Sequence, residues 1–176
     1  RIATDVGQHQ MWVAQYYPFS APRTHLTSGG LGTMGYGMGA AIGASMATGC
    51  RSVLFTGDGS FGMNLNELAT AVTQQIPLTV VILRNGTLGM IHQWQGLFFD
   101  HRYMASLLQR KTDFVKLAEA FGARGYRAKT VSELQQALDQ AFALPGPTVI
   151  DCLIPPEENV YPMVPPGGSV EDIILK

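Results

Sequence analysis

The sequence predicts an α/β fold: a mostly parallel sheet of six strands with helices on both faces. Three observations carry that prediction. Residues 52–56 and 78–83 are short apolar runs, as strands buried on both faces require. Helical stretches fall between the strand candidates, and that alternation marks strand–helix–strand units. Cap and stop residues punctuate the helices. Along the chain the strand candidates are 2–6, 25–28, 53–56, 78–83, 125–127 and 148–153. A helix opens at Gln8 and runs to residue 15. A second, over 36–47, is rich in small residues and would pack closely on the sheet. A third spans 64–75, with Asn64 and Glu67 in cap-and-acid spacing, and Pro77 breaks it. A fourth, over 113–121, is stopped by Gly122. A fifth opens on the capping-box pattern Thr130-Val131-Ser132-Glu133 and runs to Ala143, before Leu144-Pro145-Gly146-Pro147. Two segments lack a clean period. One is 85–111, with its aromatics and histidines. The other is the proline-rich 155–176, which reads as a tail over the surface of a domain formed by 1–154.

Composition excludes several classes. A chain of 176 residues fits one domain with a real core. Hydrophobic residues make up 46% and charged residues only 14%, which implies surface covered by other domains or chains. A net charge of −1 leaves no nucleic-acid footprint. Cys50 and Cys152 have no CxxC or histidine companion, so neither a disulfide framework nor zinc is expected. No apolar run reaches the roughly 18 residues of a membrane span, and no signal peptide is expected. A cytoplasmic protein is expected. The chain begins at Arg1 and enters a strand-like run at once, as a fragment of a longer protein would.

The most informative motif is Gly57-Asp58-Gly59-Ser60, with Asn85 separated from Asp58 by 26 residues. A strand precedes each, and a helix lies between. In a parallel unit both strands point their C-terminal ends at one edge, so Asp58 and Asn85 converge where open α/β sheets bind ligands. A carboxylate and an amide oxygen there make a hard-oxygen site. Mg²⁺ fits it, with substrate phosphates filling the remaining positions. The competing reading is two turns, Gly-Asp-Gly and Asn85-Gly86; the flanking strands and helix argue against it. Gly7-Gln8-His9-Gln10 follows the first strand directly. It puts amide, imidazole and free backbone N–H donors at the same edge, with ordinary helix capping as the alternative. Gly30-Leu31-Gly32-Thr33-Met34-Gly35 matches the dinucleotide pattern GxGxxG, but the segment is so glycine-rich that a match carries little. Asn85-Gly86-Thr87 is a chance sequon. His25, His92 and His101 lack metal-ligand spacing.

With these residues in view, the chain resembles the large subunit of acetohydroxyacid synthase (acetolactate synthase) in its C-terminal thiamine-diphosphate domain. The likeness runs through Thr4 to Trp12, Thr27 to Gly37, Gly57-Asp58-Gly59 with Asn85, Gly89 to Gln95, and Pro162-Met163-Val164-Pro165-Pro166-Gly167. It implies thiamine diphosphate bound with Mg²⁺ on Asp58, Asn85 and the backbone carbonyl of Thr87. Gln8, His9, Gly59 and Ser60 would hold the diphosphate. Gly32 and Met34 would contact the aminopyrimidine, with Met34 as the wedge that bends the cofactor. Met90 would face the thiazolium. Val6, Gly7, Gly57, Leu88, Gly89 and Ile91 complete the implied cofactor set, and Trp94 would shape the acceptor pocket. The implied activity is decarboxylation of pyruvate and condensation with a second 2-ketoacid, in branched-chain amino acid synthesis. The activating glutamate would come from another domain, so this stretch alone should be inactive. FAD in a middle domain, a homodimer or tetramer, and a regulatory small subunit are also implied. Two departures stand out: Met38-Gly39-Ala40 where the family has Leu-Pro-Ala, and Arg84 where an Asn or Asp is common. Another thiamine-diphosphate decarboxylase, carboligase or oxidase stays open, as does a non-catalytic diphosphate-binding module.

Overall fold

A computed structural model describes residues 1–176. Six strands form one sheet in which every neighbouring pair is parallel: β1 (Ile2–Thr4), β2 (His25–Thr27), β3 (Ser52–Gly57), β4 (Leu78–Arg84), β5 (Arg124–Ala128) and β6 (Thr148–Leu153). Their order is β2-β1-β3-β4-β6-β5. The chain leaves β1 toward one edge to form β2, then crosses back to β3 on the other side. The β1/β3 boundary is therefore a topological switch point, where a crevice opens at the C-terminal strand ends.

Seven α-helices connect the strands: α1 (Gln8–Tyr16), α2 (Tyr36–Thr48), α3 (Asp58–Asn64), α4 (Leu68–Thr73), α5 (Gly89–Phe98), α6 (Phe114–Phe121) and α7 (Val131–Ala143). The strands alternate sides as a period of two demands. Leu78, Val80 and Ile82 of β4 face a core built with Met38 and Ala41 of α2, Phe61 of α3, Leu68 of α4 and Phe114 of α6. Val81 of β4 and Ile150 of β6 face the opposite side, against Ala137 and Ala141 of α7. Helices thus cover both faces. No helix is long and apolar enough to cross a membrane.

The capping signals at α6 and α7 are realised. Asp113 accepts from the N–H groups of Val115 and Lys116, and Gly122 ends α6 in the left-handed region. Thr130 and Glu133 form the complete capping box. The expected helix over 64–75 is corrected. Helical structure begins at Asp58, breaks at Asn64 (φ −140°), passes through a 3₁₀ turn at Leu65–Glu67 and resumes as α4. Asn64 caps nothing; its amide donates to the Gly35 carbonyl. Gly59 and Gly62 conceal this helix, because glycine is a poor helix former in isolation. Strand β1 is also shorter than 2–6. Asp5 leaves it to turn its carboxylate inward, where Oδ1 accepts from the N–H groups of Gly35 and Gly37 and Oδ2 accepts from the Thr56 hydroxyl. That carboxylate pins the start of α2 to the sheet. The segment 85–111 is not wholly irregular, since it contains α5.

Candidate functional site

The C-terminal ends of β1, β3 and β4 open onto one crevice, and α1, α3 and α5 begin there. None of the three helix starts carries a side-chain cap. First-turn N–H groups of a helix generally lack intrahelical partners; here Gln10 N–H donates to the Gly7 carbonyl at 3.1 Å, and the helix dipoles place positive potential in the crevice. The crevice is a cavity of about 180 Å³. All sixteen residues implied for the cofactor line it, and Trp12 and Leu83 complete the lining.

The backbone approaches closely here because glycines allow it. A Cβ at Gly57 would lie 3.0 Å from His9 Nδ1. One at Gly89, the first residue of α5, would overlap the Gln8 carboxamide.

Three buried polar atoms around the cavity have no partner: Asp58 Oδ1, Thr87 Oγ1 and His9 Nε2. Burial pushes the Asp58 carboxyl above the usual carboxylate range, opposed by nearby backbone amides and by the charges of Arg84 and Arg110. Burial likewise drives the His9 imidazole down to about 3, so it is neutral at physiological pH. An unpaired buried carboxylate beside free helix amides is costly unless a cation and an anion arrive together. Asn85 stands opposite on the loop after β4. Its Oδ1 accepts from Thr87 N–H at 3.0 Å, and its Nδ2 donates to Gln8 Oε1 at 3.1 Å. A carboxylate, an amide oxygen and the Thr87 backbone supply hard oxygens of the kind Mg²⁺ takes, so these residues fit the metal and the phosphates it carries.

Two expected donors are already engaged. Gln8 Nε2 donates to Gln93 Oε1 and to the Glu158 carbonyl, both at 2.9 Å. The Ser60 hydroxyl donates to the Val6 carbonyl at 2.7 Å. What these two residues offer a phosphate is therefore their backbone N–H. Met34 lines the cavity within reach of Gly59, with its Cε 3.5 Å from the position a Cβ would take there. Met90 lines the cavity from the first turn of α5. Trp94 lies one turn beyond Met90, 42% exposed and edge-on to Phe98 at 5.7 Å; it is outside the cavity lining.

Sequence reasoning missed Trp12, Leu83 and Arg110. Trp12 follows Gln8 by one helical turn, which was a usable signal. Arg110 donates from Nη1 to the Asp58 carbonyl at 3.1 Å. No local pattern marks it. The chain returns over the loop after β4 at 106–108: Leu88 N–H donates to the Ser106 carbonyl and Leu108 N–H to that of Gly86. The two departures leave the residues around the cavity undisturbed. Gly39 has open space around its Cα, and Arg84 pairs with Asp151 at 2.9 Å.

An α/β domain with uncapped helix starts and an unpartnered carboxylate oxygen at its switch point offers positive potential to an anion and a hard oxygen to a cation. Residues 5–152 match the model of the thiamine pyrophosphate enzyme C-terminal TPP-binding domain, and the chain belongs to that family. It is 45% identical to the acetolactate synthase isozyme 1 large subunit of Escherichia coli K12, over 98% of this chain and 31% of that protein. It is also 45% identical to the isozyme 2 large subunit of the same organism, over 99% of this chain and 32% of that protein. A probable acetolactate synthase large subunit of Methanocaldococcus jannaschii is again 45% identical, over 98% and 29%. The chain spans about a third of the length of these relatives.

Proposed function

We propose that this domain holds the diphosphate of thiamine diphosphate through Mg²⁺, as part of a longer enzyme that makes acetolactate. The observation that carries the reading is the pairing of Asp58 Oδ1, buried and without a partner, with three uncapped helix starts around one cavity. Asp58 and Asn85 Oδ1 would hold the metal, with the Thr87 carbonyl as a third oxygen. The amides opening α1 and α3 would hold phosphate oxygens, and neutral His9 would donate from Nε2. Met34 and Met90 would bracket the organic part of the cofactor. When bound, that cofactor supplies the carbanion equivalent that carries 2-ketoacid chemistry. The protein contributes orientation, water exclusion and charge balance.

The cavity is below the roughly 300 Å³ at which whole-ligand sites begin, in keeping with one half of a shared site. Asp58 is the one carboxylate in its lining, and the proposed metal claims it. An acid–base group for the aminopyrimidine would come from another domain. By likeness to the relatives named large subunits, we infer pyruvate and a second 2-ketoacid as substrates, a regulatory small-subunit partner, a dimeric or tetrameric enzyme, and FAD in a middle domain. Calorimetry of the full-length protein tests the core of the reading. Thiamine diphosphate should bind only with Mg²⁺ present, NAD should not bind, and Asp58→Ala should weaken binding by about 100-fold or more. Assay with 2-ketobutyrate and pyruvate then separates acetolactate synthesis from other thiamine-diphosphate reactions.

A further inference from the structure

We propose that Gln93 and Gln8 are positioning residues that couple docking of the tail segment 158–163 to the orientation of the Asn85 carboxamide. The inference rests on reading Asn85 as a metal ligand. A carboxamide has two chemically distinct ends, and only its oxygen can bind a cation. Which way Asn85 faces therefore decides whether it is a ligand at all.

Backbone groups cannot exchange donor for acceptor, and tail backbone sets the direction here. Val160 N–H donates to Gln93 Oε1 at 2.9 Å, and the Val160 carbonyl accepts from Gln93 Nε2 at 3.0 Å. This two-point pairing fixes the sense of Gln93. Gln93 Oε1 then accepts a second bond from Gln8 Nε2, whose other proton goes to the Glu158 carbonyl. Both amide protons of Gln8 are thereby spent, so its Oε1 must face Asn85. There it accepts from Asn85 Nδ2. The nitrogen of Asn85 is turned into the protein, and its oxygen is left to Thr87 N–H and the cavity.

Water has little access to correct an error. Gln8 is 3% exposed, Gln93 4% and Val160 0%. A flipped amide would oppose like groups and leave buried donors unpaired, which is expensive. Gly89 leaves room for the Gln8–Asn85 pair, since a Cβ there would overlap both side chains. The tail is thus wired to the metal loop through two side chains, neither of which needs to touch the metal. When the tail leaves, Gln93 loses Val160 and Met163, and Gln8 loses Glu158. Residues outside the metal's own ligands typically alter metal affinity by about 10- to 100-fold.

The test uses the full-length protein and reads the Mg²⁺ concentration that half-saturates thiamine-diphosphate binding, followed by intrinsic tryptophan fluorescence without substrate. Gln93→Met keeps length but removes the polar ends, and should raise that concentration about 10- to 100-fold. Gln93→Glu keeps an oxygen for Val160 N–H and Gln8 Nε2 and, protonated in this buried place, an O–H for the Val160 carbonyl, so its rise should stay below about 10-fold. A chain ended after Pro155 should behave like Gln93→Met, and it serves if that variant does not fold. A purely packing role would weaken both Gln93 variants alike, and that result overturns the coupling. So does an unchanged Mg²⁺ requirement in Gln93→Met or in the shortened chain. Asp58→Ala in parallel separates the two levels. If it abolishes binding while the Gln93 variants do nothing, the coupling alone fails. If it too leaves Mg²⁺ dependence intact, the metal reading itself fails.

Discussion

Asp58 and Asp151 both lie at or near strand C-termini, both are shut away from solvent, and they serve opposite purposes. Asp151, in β6, is 0% exposed and sits between two cations: Arg84 Nε at 2.9 Å and Arg127 Nε at 3.2 Å. Arg127 continues the chain to Asp113 at 2.6 Å, which also caps α6. Asp58, just after β3, is 4% exposed and has an oxygen with neither a hydrogen bond nor an ion pair. A buried carboxylate whose charge is met inside the protein ties elements together. One whose charge is not met is held ready for something from outside. Asp5 stands between them, buried and held by three neutral donors.

The largest expected effect is on ligand binding at the Asp58 end. Asp58→Ala should weaken Mg²⁺-dependent thiamine-diphosphate binding by about 100-fold or more, since even indirect contacts to a metal are worth about 10- to 100-fold. The metal-free variant should be as stable as the parent or more so, because an uncompensated buried charge has been removed. Calorimetry and thermal melts on the same samples check both halves. A clear fall in the metal-free melting temperature would erase the contrast with Asp151.

Asp151→Ala should do the reverse. Removing one partner of a buried ion pair costs about 3–5 kcal/mol. Arg84 and Arg127 are 24% and 36% exposed and can turn partly to water, so the lower figure applies. About 3 kcal/mol corresponds to roughly 6–12 °C at this chain length. Binding measured below the melting transition should change little.

A pH titration sharpens the comparison further. His9 has a folded-state value of about 3, below its ordinary 6.5, because burial disfavours the charged form. Protonation therefore favours the unfolded chain. Stability should be fully present above pH 6.5 and fall by about 1.4 kcal/mol per unit below it, with the loss complete near pH 3. Urea melts from pH 7.5 to 5 measure this, and His9→Phe should flatten the slope.

The smallest effect belongs to Cys152, beside Asp151. Burial pushes its thiol up to about 12. The native protein should take up alkylating reagent at Cys50, which is exposed, and not at Cys152. Labelling of Cys152 at neutral pH would show that the Asp151 end opens more readily than its paired charges imply.

Much of this was legible in the sequence because the signals are local. The apolar runs of β3 and β4 mark buried strands by composition alone, and Thr130 with Glu133 announces the start of α7 within one turn. The spacing of Asp58 and Asn85 around a helix was enough to bring them to one edge. Helix α3 was illegible because its two glycines argue against a helix until Phe61 is buried. Helix α5 was illegible because its aromatics, Trp94 and Phe98 among them, face outward and spoil the periodicity.

By itself the sequence determined which residues could form the crevice, since strand, helix and glycine positions follow from short-range preferences. The tertiary structure decided what each polar group is doing there. Arg84 lies 67 residues from Asp151, Gln8 lies 85 from Gln93, and Gln93 lies 67 from Val160. Nothing along the chain pairs them. Only the packed sheet and the docked tail, by excluding water, make these long-range pairings decisive. The same exclusion leaves Asp58 Oδ1 without a donor.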